Sequence, residues 1–222
     1  MQDISIKKSK INGLFVTGTD TEVGKTFVSA ALVKSLTASY WKPVQTGPDQ
    51  DHDTPEIQRL TGIVDRNIYP CSYNFPDPLS PHEAARRVGQ TINLDDINLP
   101  SISEDEFLIV EGAGGALVPL NDAFLMTDLM AKVNLPVVIV ARSGLGTINH
   151  TLLTIEALKN RRLTLAGVIM NGPENRGNRE AIEEYGKVPV VAELPRCEHV
   201  TAEVITELMP RLQRFSESLG HN

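Results

Sequence analysis

The residues best suited to chemistry form one run near the start of the chain. Residues 18–26 read Gly-Thr-Asp-Thr-Glu-Val-Gly-Lys-Thr, after a short apolar run and before a segment with helical character. A loop in that position presents backbone N–H groups and a helix N-terminus, which together bind phosphate oxygens. Lys25 is then expected to neutralise the β- and γ-phosphates of a nucleotide, and the Thr26 hydroxyl to ligate Mg²⁺. The run therefore predicts a nucleotide-binding phosphate loop.

The loop departs from two forms of this motif. The strict form has a glycine at position 19, where this chain has Thr19, and the glycine of this chain, Gly18, lies one position earlier. The deviant form of partition and cell-division ATPases has a second lysine where this chain has Asp20. The absence of that lysine weakens the hypothesis of a nucleotide-driven switch of that type, which we keep as the alternative function.

Apolar runs alternate with helical segments along the chain. The apolar runs, which are nearly continuous as in parallel strands covered on both faces, cover residues 14–17, 40–44, 107–110, 137–141, 165–170 and 188–192. The segments with apolar residues three and four apart cover residues 25–36, 124–133, 148–160, 176–186 and 200–218. This alternation predicts an α/β fold, with a doubly wound, mostly parallel sheet of the P-loop NTPase type in a single domain over residues 1–222.

Two segments fall outside this alternation. Residues 45–81 are rich in proline, aspartate and asparagine and contain one short helical candidate at residues 55–60. This composition is typical of an inserted segment that binds a ligand. Residues 1–12 are expected to form a flexible tail.

Composition narrows the class of protein. With 41% hydrophobic and 22% charged residues, the 222-residue chain matches a globular protein with a buried core. A net charge of -7 disfavours a protein that coats nucleic acid. No apolar run approaches the roughly 18 residues needed to cross a bilayer, and two cysteines are too few for a disulfide scaffold. We therefore expect a cytoplasmic protein that binds neither nucleic acid nor membrane.

Four motifs, in this order, resemble those of the dethiobiotin synthase family. They are the loop at residues 18–26, Lys-Pro-Val-Gln-Thr-Gly at 42–47, Glu-Gly-Ala-Gly-Gly at 111–115, and Gly-Leu-Gly-Thr-Ile-Asn-His at 144–150. They lie at the ends of predicted strands, at the edge where open α/β sheets bind ligands. The resemblance spans most of the chain.

The resemblance implies an ATP- and Mg²⁺-dependent ligase of biotin biosynthesis. The family joins CO₂ to 7,8-diaminononanoate (diaminopelargonate) and closes the ureido ring of dethiobiotin, while ATP becomes ADP and phosphate. The implied course passes through a carbamate and a carbamic-phosphoric anhydride. Negative charge accumulates at each step, so the site requires cations aimed at the carbamate and phosphoryl oxygens.

The resemblance also implies the residues of the nucleotide and metal sites. Lys42 and Lys25 are the expected catalytic residues, with Lys42 reaching the carbamate and the γ-phosphate. The expected Mg²⁺ ligands are Thr26, Asp53 and Glu111, with Asp53 preferred over the other acids of residues 49–53. The expected nucleotide contacts are Glu22, Val23, Gly24, Lys25, Thr26, Phe27, Asp53, Glu111, Gly112, Ala113, Gly114, Asn171, Gly172, Pro195, Arg196 and Cys197.

The expected substrate contacts imply two subunits. They are Thr21, Thr46, Leu145, Gly146 and Asn149. The N-terminal amides of the helix that follows Gly146 are suited to hold the carboxylate of the substrate. In the family this segment comes from the partner subunit, so the resemblance implies a homodimer with active sites at the subunit boundary.

Two further alternatives stay open beside the switch. Cobyrinic acid diamide synthases share the fold, but they normally carry a glutaminase domain with a nucleophilic cysteine, and we expect one domain here. A degenerate member that binds nucleotide without turnover is disfavoured by the presence of Lys25, Thr26, Lys42 and Glu111.

Overall fold

The structure is a computed structural model that describes residues 12–220. Over these residues the strands are β1 (Asn12–Gly18), β2 (Ser39–Trp41), β3 (Val44–Thr46), β4 (Ile68–Tyr69), β5 (Tyr73–Phe75), β6 (Phe107–Gly115), β7 (Val137–Arg142), β8 (Leu165–Asn171) and β9 (Val190–Leu194). The α-helices are α1 (Lys25–Leu36), α2 (Asp53–Thr61), α3 (Pro81–Arg87), α4 (Met126–Val133), α5 (Thr147–Asn160), α6 (Arg176–Gly186) and α7 (Ala202–Ser218). The expected tail over residues 1–12 lies outside the described residues, except for Asn12, which begins β1.

The strands form one large sheet in the order β4-β2-β6-β1-β7-β8-β9, and each neighbouring pair within residues 12–220 is parallel. Helices α1, α2 and α7 pack on one face, and α4, α5 and α6 pack on the other. In β1, Leu14 and Val16 face the first layer of helices and Phe15 faces the second, and all are fully buried. Burial on both faces explains the nearly continuous apolar runs, and the predicted doubly wound α/β fold is confirmed.

The register of the sheet brings three strand ends together. Tyr40 in β2 pairs with Ile109 in β6, and Val16 in β1 pairs with Glu111 in β6. Side chains alternate between the two faces of a strand, so Tyr40, Ile109, Glu111 and Val16 share the face covered by α1, α2 and α7. The chemistry-bearing residues that follow β1 and β2 therefore lie beside Glu111.

The strand predicted over residues 40–44 is wrong, because the structure has two strands there. β2 ends at Trp41, and β3 begins at Val44 and pairs with β5 in a separate two-stranded sheet. Pro43 has no N–H to donate to a ladder, so the main sheet cannot continue through it. Lys42 consequently lies at the junction between the two sheets.

Other boundaries differ from the predictions. The last strand covers residues 190–194 rather than 188–192, since Pro189 cannot donate within the ladder. The helical candidate at residues 55–60 is α2, and the prediction contained no β4, β5 or α3. Within residues 12–220 no helix combines the length and apolar character that a bilayer crossing requires.

Candidate active site

The phosphate loop connects β1 to α1 and contacts the end of β8. Gly24 precedes the helix with φ of 93°, a left-handed conformation that favours glycine. A Cβ at this position would lie 2.1 Å from Asn171 Nδ2. That same amide nitrogen donates to the Val23 carbonyl oxygen over 2.9 Å. The end of β8 therefore fixes the loop just before the helix begins.

Lys42, Glu111, Asp53 and Thr26 meet beside this loop. Lys42 Nζ donates to Glu111 Oε1 over 3.1 Å and forms a close ion pair with Asp53. Thr26 Oγ1 lies 2.6 Å from Asp53 Oδ1 and 3.0 Å from Glu111 Oε1. Lys42 is 4% exposed and Glu111 1% exposed, so their charges interact with little screening by water. The helix begins at Asp53 with His52 as its cap residue, which leaves the Asp53 carboxylate directed at Lys42 and Thr26 instead of the helix end.

Burial and neighbouring charges shift the pKa values of the two lysines and of Asp53 in different directions. Burial lowers the pKa of Lys25, and the charge of Glu111 offsets only part of this. Burial acts on Lys42 in the same direction, but the charges of Glu111 and Asp53 outweigh it and raise the pKa of Lys42. Burial raises the pKa of the Asp53 carboxyl, but the charge of Lys42 and hydrogen bonds from Lys42 and Thr26 lower it overall. Lys42 therefore remains a cation and Asp53 an anion at neutral pH.

Tyr40 supports the Glu111 carboxylate and Gln45 supports the backbone of Asp53. Neither residue is among the predicted site residues. The Tyr40 hydroxyl donates to Glu111 Oε2 over 3.1 Å. Burial, together with the charge of Glu111, raises the pKa of Tyr40 well above its ordinary value. Gln45 Oε1 accepts a hydrogen bond of 3.3 Å from the backbone N–H of Asp53. Tyr40 lies two residues before Lys42, and this spacing was the signal that could have indicated a shared face. The pairing of Tyr40 with Glu111 depends on a strand register that the sequence does not reveal.

A cavity of about 390 Å³ opens over this cluster. The predicted site residues that line it are Thr21, Glu22, Gly24, Lys25, Thr26, Lys42, Thr46, Asp53, Glu111, Ala113 and Gly114. Gln45 and Asp51 also line it, and neither was predicted as a site residue. The structure thus brings the phosphate loop and the motifs at residues 42–47 and 111–115 to one cavity.

A second cavity, of about 530 Å³, lies beside the first and shares Glu22 with it. The predicted site residues that line it are Glu22, Val23, Leu145, Asn171, Gly172 and Arg196. Arg142 lines it as well, and its guanidinium pairs with Asp20 over 2.8 Å beside the phosphate loop. The ends of β7, β8 and β9 therefore contribute to a polar space next to the loop.

The remaining predicted site residues line neither cavity. They are Phe27, Gly112, Pro195, Cys197, Gly146 and Asn149. Phe27 lies in the first turn of α1 and packs, partly buried, against the core on that face of the sheet. A Cβ on Gly112 would contact the Phe15 ring at 2.9 Å, so that glycine packs against the opposite face from Glu111. Gly146 and Asn149 lie at the exposed start of α5.

The oxygen atoms of the cluster fit a magnesium ion. Adjacent ligands of an octahedral Mg²⁺, with bonds of about 2.0–2.1 Å, are about 3 Å apart. The Thr26 hydroxyl is separated from the Asp53 and Glu111 carboxylates by 2.6 and 3.0 Å, and its single proton cannot serve both carboxylates fully. Within residues 12–220 no group of three or more His, Cys, Asp or Glu side chains is placed to hold a metal. One hydroxyl and two carboxylates fill at most half of an octahedral shell, which leaves positions for water and phosphate oxygens.

Comparison with known proteins shows the family. Residues 12–204 match a family model described as an AAA domain. The chain is 52% identical over 200 residues to the ATP-dependent dethiobiotin synthetase BioD of Paramagnetospirillum magneticum, covering 90% of this chain and 96% of that protein. The chain belongs to the ATP-dependent dethiobiotin synthetase family. The family resemblance is confirmed, and the chain is accordingly an ATP-dependent ligase of biotin biosynthesis.

Other relatives of the synthetase extend the comparison. The dethiobiotin synthetase of Rhodopseudomonas palustris strain HaA2 is 47% identical over 192 residues, which are 86% of this chain and 89% of that protein. The biotin biosynthesis bifunctional protein BioCD of Bordetella avium is 42% identical over 214 residues, which are 96% of this chain but 46% of that protein. The synthetase sequence therefore also occurs as part of a longer polypeptide.

Solved structures share the fold of the synthetase. A ParA family ATPase from Chlorobium tepidum superposes with a TM-score of 0.55 at 14% identity, over 95% of this chain and 98% of that chain. The septum site-determining protein MinD from Pyrococcus horikoshii superposes with a TM-score of 0.51 at 14% identity, over 94% of this chain and 98% of that chain. At this identity the likeness shows the P-loop NTPase fold alone, and the alternative of a nucleotide-driven switch is not favoured.

Proposed function

We propose that this synthetase joins CO₂ to diaminopelargonate and closes the ureido ring of dethiobiotin in a reaction that consumes ATP and requires Mg²⁺. The observation that carries this proposal is the convergence of buried Lys42 with Glu111, Asp53 and Thr26 beside the phosphate loop. A buried cation next to a phosphate loop is what a reaction through anionic intermediates requires.

The proposed reaction has three steps. One amine of the substrate attacks CO₂, forming an N–C bond and losing a proton, which gives a carbamate. A carbamate oxygen attacks the γ-phosphorus, the bond from this phosphorus to the bridging oxygen breaks, and ADP leaves with the bonding electrons. The second amine attacks the carbonyl carbon of this anhydride, phosphate leaves, and the amine loses its proton as the ring closes.

The two lysines have different tasks in this scheme. Lys25, at the start of α1, neutralises the β- and γ-phosphates together with the loop N–H groups. Lys42 remains protonated because its pKa is raised by Glu111 and Asp53, and its ammonium stabilises the carbamate and the transferring phosphoryl group. Because these carboxylates hold Lys42 in place before the reaction, little reorganisation is needed at the transition state.

Thr26, Asp53 and Glu111 are the residues that would hold Mg²⁺. When bound, the ion neutralises charge on the β- and γ-phosphate oxygens. The phosphates would be surrounded by Glu22, Val23, Gly24, Ala113 and Gly114. Gly112, packed against Phe15, and Phe27, in the first turn of α1, would support this site from outside the two cavities. At the second cavity the base would contact Asn171, Gly172 and Arg196. Pro195 and Cys197 lie beside Arg196 in the loop after β9 and would contribute further contacts to the base.

We also propose a homodimer in which the partner completes the substrate site. Thr21 and Thr46 line the first cavity, where they contact the diamine. The segment 144–149 starts α5 away from that cavity, and Leu145 is fully exposed at 109% of its reference area. Exposed Leu117 and Leu153, at 52% and 57%, flank a groove beside the phosphate loop and offer apolar area to a second subunit. Leu145, Gly146 and Asn149 would then approach the carboxylate of the partner's substrate.

The proposed function is tested by phosphate release from ATP and Mg²⁺ in bicarbonate buffer, with and without diaminopelargonate, and by mass detection of dethiobiotin. We expect phosphate release to require the diamine and to match dethiobiotin formation. Phosphate release that does not depend on the diamine, with no dethiobiotin formed, would contradict the proposal and favour the alternative of a nucleotide-driven switch. The proposed location is the cytoplasm, where ATP is available.

A further inference from the structure

The hydroxyl of Tyr40 is buried under the active-site cluster. Tyr40 is fully buried, and its hydroxyl donates to Glu111 Oε2 over 3.1 Å. The other carboxylate oxygen, Glu111 Oε1, faces Lys42 and Thr26 at 3.1 and 3.0 Å. The carboxylate therefore presents one oxygen to the cluster and the other to Tyr40.

The sheet register accounts for this contact. Tyr40 lies opposite Ile109, and Glu111 is two residues further along β6 on the same face. The Tyr40 side chain reaches diagonally across the two strands to the carboxylate. Its ring is held between the sheet and the helices of the first layer, so the position of the hydroxyl is set by the core.

A buried carboxylate with one unsatisfied oxygen is costly, and it can turn to find a donor. The Tyr40 hydroxyl donates to Oε2 and so keeps the Glu111 carboxylate from turning. Oε1 is then directed at the point where Thr26 and Asp53 also present oxygen atoms. The contact resembles the outer hydrogen bonds that orient ligating carboxylates in metal sites.

We propose that Tyr40 is a positioning residue that orients Glu111 toward the metal-nucleotide complex. This inference rests on the proposed role of Glu111 as a ligand of Mg²⁺ in the proposed function. Loss of the Tyr40 hydroxyl should weaken binding of the magnesium complex by about 10- to 100-fold, the usual effect of removing such an outer partner.

The test compares Tyr40→Phe with Tyr69→Phe. Both variants keep the ring and lose one hydroxyl that donates to a glutamate, since the Tyr69 hydroxyl donates to Glu106 Oε1 over 2.7 Å just before β6, at the far end of that strand from Glu111. Calorimetry would measure binding of a non-hydrolysable ATP analogue with excess Mg²⁺ and, separately, with a chelator. We expect Tyr40→Phe to weaken only the binding measured with Mg²⁺, and Tyr69→Phe to change neither.

A structural role for Tyr40 predicts a different pattern. Equal losses with and without Mg²⁺, or a lower free energy of unfolding with unchanged binding, would overturn the proposal. The double variant Tyr40→Phe/Glu111→Gln provides a second test, because position 111 then carries no charge that loss of the Tyr40 hydroxyl could leave without a donor. We expect it to bind the magnesium complex as Glu111→Gln does, and a further loss from Tyr40→Phe in that background would also overturn the proposal.

These measurements need no diamine and no turnover. Failure of the wild type to form dethiobiotin would therefore contradict the proposed function without deciding the role of Tyr40. Conversely, equal binding by Tyr40→Phe and wild type would overturn the positioning role while dethiobiotin synthesis stands.

Discussion

Lys42 Nζ lies 3.1 Å from Glu111 Oε1, although the two residues are 69 positions apart in the chain. The lysine follows β2 and the glutamate lies within β6, and these strands are neighbours in the sheet. Removing one partner of such a buried pair leaves the other charge uncompensated, which is far costlier than losing a surface ion pair. Asp53 and Glu111 both face Lys42, so this single ammonium balances two carboxylates.

Replacement of Lys42 by alanine should separate catalysis from binding. We expect kcat to fall by about 10²- to 10³-fold or more, since a preorganised cation is lost from the transition state. The affinity for a non-hydrolysable ATP analogue should stay within a few-fold of wild type, as measured by calorimetry. Lys132→Ala is the matched control, because Lys132 donates to the Leu94 carbonyl oxygen on the surface. Turnover like that of wild type in Lys42→Ala would refute the catalytic role.

Replacement of Lys25 by alanine should weaken nucleotide binding and also slow catalysis. Lys25 is proposed to contact the phosphates directly, and a charge-assisted hydrogen bond contributes about 1.5–3 kcal/mol. We therefore expect the Kd of the ATP analogue to rise by about 10- to 100-fold and kcat to fall as well. Calorimetry and steady-state kinetics on the same preparation check this. An unchanged Kd would exclude Lys25 from the phosphate site.

A change of Gly24 to alanine should disturb the loop through Asn171. The left-handed backbone costs a non-glycine residue about 1–2 kcal/mol, and the new Cβ would also lie 2.1 Å from Asn171 Nδ2. We expect weaker nucleotide binding, measured by calorimetry, together with a lower free energy of unfolding. Gly62→Ala is the control, because Gly62 has φ of 68° and no atom within 4 Å of a Cβ. Equal nucleotide affinity in the two variants would contradict the effect through Asn171.

Mixing two inactive variants should restore activity if the partner completes each site. Lys42→Ala lacks the lysine, and Asn149→Asp places a negative charge where the substrate carboxylate is proposed to bind. In a mixed dimer one site carries both changes and the other carries neither. Random exchange of subunits should therefore give about one quarter of wild-type activity. Activity that stays at the level of the separate variants, in a mixture shown to exchange subunits, would contradict the shared site.

Glu106 should make the stability of the protein depend on pH. Burial raises the pKa of its carboxyl, but hydrogen bonds from Ser39, Tyr69 and the Ser103 N–H outweigh this and lower the pKa below its ordinary value. Between the pKa of Glu106 in the folded protein and its higher pKa in the unfolded chain, the unfolded chain binds more protons. The stabilisation by Glu106 is therefore complete above about pH 5 and is lost as pH falls through the folded pKa. Urea unfolding of wild type and Glu106→Gln should show a difference that shrinks from pH 7 to pH 3. A constant difference would contradict this account.

The sequence predicts the contiguous parts of the site better than the parts assembled across strands. The phosphate loop is recognisable because its glycines, Lys25 and Thr26 are neighbours in the chain. Tyr40 and Gln45 act through Glu111 and Asp53, and those contacts depend on strand register and on the path of residues 42–53. The two-residue strand β4 and the seven-residue helix α3 are too short for periodicity to reveal.

The position of β6 between β1 and β2 has a consequence for synthesis of the protein. The first two strands of the main sheet are not neighbours, and both pair with β6, which lies between them and is made later. A nascent chain that has not yet released these residues from the ribosome therefore exposes strand edges, which invite pairing with other chains. Slow translation before Phe107 should favour aggregation, whereas slow translation once residues 107–115 have left the ribosome allows β1, β2 and β6 to assemble while the remaining strands are still being made.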